Sequence, residues 1–470
     1  MKDLDHAHGA NTRLDASPDA RRTMTTQLRK IPAVVLGNAL EFYDFIVYAA
    51  FAPVLGRAFF PTQDPMTGLI LSFSTYGIGF VIRPLGAVLL GAYSDRYGRK
   101  SAMTLTIGLM AFATGMIGLV PGYGQIGMAA PILLVLARLV QGFSVGGELA
   151  PSTIFLTEMA PIGRKGFFAS FQFASQGLSA VMSGAVGLSI AALLPKTAVE
   201  QWGWRIAFLI GILIAPFGIY IRKRLHETLS QDQPRASMST ILSITLRREW
   251  QLAALGILVV SGITITQYFF LYAATYATAV LHYSQQVAMT IIFATGVTGI
   301  VFALIGGLLA DRFGVMRLAF APRLAMVLLM YPALSIASSS GSPTVLLAVI
   351  VVLMALHAVG SIAPALLVLN AFPAQIRGTG FAISMALAIT LFGGTAQIVF
   401  TWIIASTGEK LSFIYYIIGM NFVTVAACLL MLTHLNRRRS AAPSTRTMTS
   451  SERANLAQSD RGIRYEADIE

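Results

Sequence analysis

Gly91-Ala92-Tyr93-Ser94-Asp95-Arg96-Tyr97-Gly98 is the stretch on which the reading of this chain turns. Gly307-Leu308-Leu309-Ala310-Asp311-Arg312-Phe313-Gly314 repeats it 216 residues later, and each copy closes a long apolar run. A second pair, Pro161 with Arg164 and Pro373 with Arg377, recurs at matching places. Two matches of this kind imply a duplicated unit, the plan of many membrane carriers whose site lies between the repeats.

Working outward, twelve apolar runs flank these marks. They span 32–53, 67–93, 101–120, 129–151, 167–194, 204–221, 251–280, 287–310, 317–338, 343–369, 378–405 and 411–434. A bilayer crossing needs about 20 apolar residues, so each run is long enough or nearly so. Of the 470 residues, 55% are hydrophobic and 12% charged, with a mean hydropathy of +0.69. Soluble domains carry about a quarter charged residues, which excludes an ordinary soluble enzyme. Disorder needs the opposite composition. A spanning barrel would alternate along each strand, and these runs do not. The expected fold is an all-α polytopic membrane protein with twelve transmembrane helices in two pseudo-symmetric six-helix bundles. The expected layout is an N-terminal tail (1–30), a first bundle (31–222), a central loop (223–250), a second bundle (251–434) and a C-terminal tail (435–470).

The net charge of +13 acquires its meaning from where the charges sit. Of 34 Lys and Arg, 27 fall in the tails and loops of one side. The other side holds four, Arg57, Lys196, Arg205 and Lys410. The positive-inside rule then places both termini in the cytoplasm, and the basic balance calls for no nucleic-acid partner. Residues 1–30 are polar and read as a cytoplasmic tail, not a signal peptide. A single cysteine, Cys428, excludes an intrachain disulfide and a multi-cysteine metal site. No GxxxxGK[ST] string is present, so no ATP-driven step is expected; no metal or cofactor is expected either.

Further strings carry a resemblance. Gly37-Asn38-Ala39-Leu40-Glu41-Phe42-Tyr43-Asp44-Phe45 opens the first run, and Arg83-Pro84-Leu85-Gly86 lies in the second. Arg138 to Gln141-Gly142 and Gly146-Gly147-Glu148 fill the fourth, and Trp202-Gly203-Trp204-Arg205 begins the sixth. With Asp95-Arg96-Tyr97-Gly98-Arg99-Lys100, these resemble the metabolite:proton symporters of the major facilitator superfamily, densely over the first six runs and loosely after. Val120-Pro121-Gly122-Tyr123 and Lys165 to Gln176 look most like citrate–proton symporters. The second loop copy departs from the pattern, reading Gly314-Val315-Met316-Arg317. The resemblance implies a secondary active transporter that couples protons to uptake of a small organic anion, citrate or a related tricarboxylate or dicarboxylate, by alternating access. The alternatives are a carrier of a zwitterionic or neutral metabolite, a multidrug exporter, or a membrane receptor or scaffold that does not transport. An enzyme is not expected. The partners are the organic acid, the proton and the lipid bilayer, and the chain is taken as a monomer.

Charge inside a bilayer costs roughly 2.5–3.5 kcal/mol per side chain on insertion scales, so the few such residues are functional candidates. Glu41 and Asp44 are three apart and share a helix face. Either serves as a proton-coupling group, or the two form an internal ion pair with Arg83 or Arg138. Two close carboxylates resist joint ionisation, as coupling requires. Arg83 and Arg138 offer rigid forks for a substrate carboxylate, or balance those acids. Gln141 and Asn38 lie one turn from these charges and join the binding set. Tyr268 and Tyr272, on a stripe that continues to Tyr276, either bind substrate or pack. His357 reads as a packing residue or a binding one, and Arg323 as an arginine snorkelling to the cytoplasm. Asp95, Arg96, Arg99, Glu148 and Asp311 form the expected cytoplasmic gate. In it Asp95 accepts hydrogen bonds at a helix N-terminus of the opposite half or pairs with Arg99. Gly142 and Gly146, and the pair Gly393-Gly394, are read as close-packing positions.

Overall fold

The computed structural model describes residues 31–97, 99–146, 149–161, 163–212, 249–373 and 376–441. The first half supplies α1 (Ile31–Phe59), α2 (Pro65–Val81, continued by Arg83–Tyr97), α3 (Arg99–Leu119), α4 (Ala129–Val145, continued by Leu149–Glu158), α5 (Lys165–Leu193) and α6 (204–212). The second supplies α7 (Trp250–Thr275, ending in a π turn at Tyr276–Val280), α8 (Gln285–Phe313), α9 (Val315–Ser339) and α10 (Pro343–Ala371). It closes with α11 (Arg377–Ala388, a π turn at Ile389–Gly393, then Gly394–Thr407) and α12 (Phe413–Ala441). Among the described residues, nine helices are long and apolar enough to cross a membrane, and shorter apolar helices lie at Thr104–Leu119 and Ala129–Val145. These eleven and the described start of α6 correspond in order to the twelve expected runs.

Local breaks have local causes. Asp64 caps α2 by accepting from the N–H groups of Met66 (3.2 Å) and Thr67 (2.9 Å), with Pro65 at the first helical position. Inside α2, Pro84 has no N–H to donate to the Phe80 carbonyl four residues back, and its ring crowds that turn. The helix accordingly breaks at Ile82 and restarts at Arg83.

The described residues up to Cys428 form one compact unit, and those from Leu429 onward a second. Within the first, small residues let helices of the two halves touch. An added Cβ on Gly177 would stand 2.8 Å from the Gly296 carbonyl, and one on Gly77 would stand 2.6 Å from the Gly394 carbonyl. The first contact joins α5 to α8 and the second joins α2 to α11. Gly142 and Gly146 of α4 likewise press on the backbone of Gly79 and Arg83 of α2.

The inner end is the one where Ile31, Leu156 and Phe168 pack together. At the outer end Arg57 pairs with Glu200 (3.2 Å) and Phe59 meets Trp204 edge-on.

Candidate functional site

Helices from both halves line one cavity, which holds about 1440 Å³ with its mouth included. Phe45, Tyr76, Arg83 and Gln176 line it from the first half, and Gln267, Tyr268 and His357 from the second. The break in α2 delivers Arg83 to this wall. Its guanidinium carbon lies 3.9 Å from the centre of the Phe80 ring and 4.9 Å from that of Phe45. Aromatic faces attract a cation without neutralising it. Glu41 acts on Arg83 electrostatically. Among the described residues, Arg83 Nε has no hydrogen-bond partner and no carboxylate lines the cavity.

Behind this wall the first half holds a buried polar relay. Arg138 donates from Nη1 to Gln141 Oε1 (2.7 Å). Gln141 Nε2 donates to Thr114 Oγ1 (2.8 Å), and Thr114 donates in turn to Asp44. Arg138 and Asp44 thus communicate across α4, α3 and α1 through an amide and a hydroxyl. Asp44 is 4% exposed and Arg138 1%, too little for water to replace these partners. Arg138 also lies 3.6 Å from the Tyr48 ring centre, and Tyr48 donates to the Ser72 carbonyl (3.0 Å). Nearby, Asn38 donates to Ser175 and accepts from Gln172 Nε2 (3.2 Å).

The second half has its own buried network. Arg323 Nη1 lies 3.3 Å from His357 Nδ1 and 3.4 Å from Asn421 Oδ1. Asn421 Nδ2 donates to Thr266 Oγ1 (2.9 Å), and His357 Nε2 meets Gln267 Oε1 (2.9 Å). The expectation that Arg323 snorkels is corrected here. It is 1% exposed and points inward from α9, because α10 and α12 supply acceptors that lipid lacks.

At the inner end, Asp311 of α8 accepts from the N–H groups of Gly166 (2.7 Å) and Phe167 (2.9 Å). These groups open α5, whose own N-cap residue, Arg164, makes no side-chain cap. A carboxylate from one half therefore caps a helix of the other. This is the contact expected of Asp95, made by its counterpart in the second repeat. The side chains of Asp95, Arg96 and Arg99 lie outside the described set, and Glu148 lies outside the described residues altogether. At the outer end Thr275 reaches the Ala49 carbonyl (3.3 Å), so the halves also touch there.

Of the binding residues expected from sequence, Arg83, Tyr268 and His357 line the cavity. Arg138 and Gln141 are drawn off it into the relay with Asp44, and Asn38 into its bonds with α5. Tyr272 packs among Phe73, Phe400 and Phe413 and meets Thr401. Glu41 is half-buried on α1, one turn before Asp44. Sequence reasoning passed over Thr114, Gln267 and Asn421. Gln267 and Asn421 carried a usable signal, since an amide inside an apolar run also needs a partner. Thr114 carried none, because threonine is common in these helices.

Comparison with known proteins agrees with this architecture. A family model described as the Major Facilitator Superfamily matches residues 34–396. The citrate-proton symporter of Klebsiella pneumoniae is 34% identical over 417 residues, which is 88% of this chain and 92% of that protein. The proline/betaine transporter of Escherichia coli (strain K12) is 30% identical over 436 residues, covering 87% and 85%. Among solved structures, a D-xylose-proton symporter superposes with a TM-score of 0.68 at 19% identity, covering 87% of this chain and 97% of that one.

Proposed function

The chain belongs to the Major Facilitator Superfamily, as a multi-pass membrane transporter and not an enzyme, and from that premise we propose proton-coupled symport of a small organic anion. The substrate on this reading is citrate or a related tricarboxylate or dicarboxylate. The observation that carries it is the cavity wall: among the described residues, Arg83 presents a guanidinium with an unpartnered Nε, and no carboxylate lines the cavity. Such a wall attracts acceptor oxygens and repels cations. The citrate-proton symporter relative supports the same choice.

Coupling runs through the first-half relay. Protonating Asp44 removes the negative end of the chain that leads through Thr114 and Gln141 to Arg138. The relay then loses its electrostatic terminus and α1, α3 and α4 can shift. Asp311 of α8, capping α5, holds the inner end shut in one state, and the halves rock about the glycine contacts to expose the cavity alternately. Both termini face the cytoplasm of a bacterial inner membrane, as the Lys and Arg distribution supports, and the chain works as a monomer. On this reading residues 31–222 rock against residues 251–434.

Purified protein in liposomes, given an inwardly directed proton gradient and radiolabelled citrate, tests the reading. Uptake above the equilibrium level is expected, with Arg83→Ala abolishing it. Asp44→Asn is expected to exchange citrate yet not concentrate it. Gradient-independent citrate uptake, or uphill transport by Asp44→Asn, refutes the assignment.

A second reading has its own support. Phe42, Phe45, Tyr76 and Tyr268 line the same cavity, and aromatic faces suit a quaternary ammonium. The proline/betaine relative points the same way. Unlabelled glycine betaine outcompeting citrate would favour it.

A further inference from the structure

Arg323 is a guanidinium buried to 1% exposure in the second half, and no Asp or Glu occurs in the apolar runs between 251 and 434. Among the described residues, its Nε and Nη2 have no hydrogen-bond partner. What it does touch has a fixed polarity. Arginine carries donors only, so the contact of Arg323 Nη1 with His357 Nδ1 (3.3 Å) makes Nδ1 the acceptor. The neutral ring then carries its proton on Nε2. That N–H faces Gln267 Oε1 at 2.9 Å, where the oxygen accepts it. The orientation of the Gln267 amide follows, with its NH2 group left over. Both His357 and Gln267 line the cavity, and Gln267 Nε2 has no protein acceptor among the described residues.

The first-half relay makes the contrast. There too an arginine donates to a side chain of α4, which donates onward, and the chain ends on the carboxylate of Asp44. His357 stands 216 residues after Gln141, the spacing that relates Asp95 to Asp311. The two relays therefore share an origin, an arginine, and a direction, toward an acceptor. The first is closed by the protein, while the second ends on an amide donor open to the cavity.

We propose that Arg323, His357 and Gln267 form an open-ended donor relay whose terminal amide is a carboxylate subsite on the second-half side of the cavity. Arg83 takes one carboxylate from the first half and Gln267 takes another, which selects substrates with two or more acidic groups. Gln267 touches the substrate, whereas His357 and Arg323 are positioning residues that lock the amide and polarise it. The identity of the acceptor rests on the organic-anion reading, but the polarity of the relay does not.

The closing experiment has two arms. Nitrogen-15 spectra of histidine-labelled protein near neutral pH, with His357→Gln to identify the signal, are expected to show a neutral ring protonated at Nε2. A ring protonated at Nδ1, or a charged one, overturns the relay whether or not any acid binds. The second arm measures equilibrium binding of citrate and of glycine betaine, which has one carboxylate. Gln267→Glu keeps an oxygen for His357 but replaces the NH2 donor with an anion. It is expected to weaken citrate at least about tenfold while changing betaine by less than about twofold. His357→Gln, which can accept from Arg323 and donate to Gln267, is expected to restore citrate binding that His357→Leu loses. Equal citrate binding by Gln267→Glu and the unmodified protein overturns the subsite, as does equal loss in His357→Gln and His357→Leu. If the unmodified protein binds no citrate, the organic-anion reading fails and the carboxylate subsite with it, and the nitrogen spectrum still decides the relay.

Discussion

Removing the Asp311 carboxylate should open the inner end. The side chain accepts two backbone hydrogen bonds, at 2.7 and 2.9 Å, from the first turn of α5. Hydrogen bonds to a charged group contribute about 1.5–3 kcal/mol each when buried. Replacing an N-cap residue by alanine costs about 0.5–2 kcal/mol. Asp311 is half-buried, so the lower part of these ranges applies, and about 2 kcal/mol is a fair total for the pair. The bonds join two halves, so they exist only while the halves meet at that end, and their loss falls on that state alone. At about 1.4 kcal/mol per tenfold, Asp311→Ala should shift the closed-to-open ratio about 30-fold toward open. Spin labels on the exposed positions 164 and 317, in a Cys428→Ser background, report the separation directly by pulsed dipolar spectroscopy. The expected result is a new long-distance population in Asp311→Ala, with Asp311→Asn intermediate because the amide keeps one acceptor oxygen. Superimposable distance distributions for Asp311→Ala and its parent would refute the reasoning.

Thr114→Val should leave a buried amide donor and a buried carboxylate unmet, at about 1–3 kcal/mol. A lower Tm and loss of gradient-driven uptake are expected, both restored by Thr114→Ser; an inert Thr114→Val would count against the relay. Gly142→Val should be strongly destabilising, because its Cβ meets the backbone of Gly79, which cannot rotate aside. An unchanged Tm would show that α2 and α4 can part. Asp64 gives a pH dependence. The Thr67 hydroxyl, then the N–H groups of Thr67 and Met66, hold its carboxyl below the usual carboxylate range. The folded pKa thus lies under the unfolded one, near about 3.9. The cap therefore stabilises above the unfolded value, and the benefit fades as pH falls through the folded one. Asp64→Ala should lower Tm at neutral pH, with a gap that narrows on acidification.

Much of this molecule was legible in one dimension. Apolar runs of about 20 residues report a membrane helix because the bilayer leaves the backbone no other way to satisfy its hydrogen bonds. Glu41, Asp44, Arg83 and Arg138 stood out for a related reason, the cost of charge in hydrocarbon. The place of Arg83 was partly readable too, since Pro84 dictates a break beside it. Partner choice was not. Whether Arg138 faces substrate or Asp44 depends on a hydroxyl from α3, and nothing in the sequence marks Thr114 among so many threonines. Arg323 was misread for the same reason, because its acceptors come from α10 and α12, 34 and 98 residues away.

Sequence alone determined the number of helices, the duplication and the inventory of charges, all of which depend on composition and on neighbours along the chain. Tertiary structure alone decided which charges face the cavity, which are closed by internal acceptors, and which helix Asp311 caps. Those outcomes rest on hydrogen-bond directions across packed helices, and a few ångströms of approach, set by glycines far apart in the chain, select one partner over another.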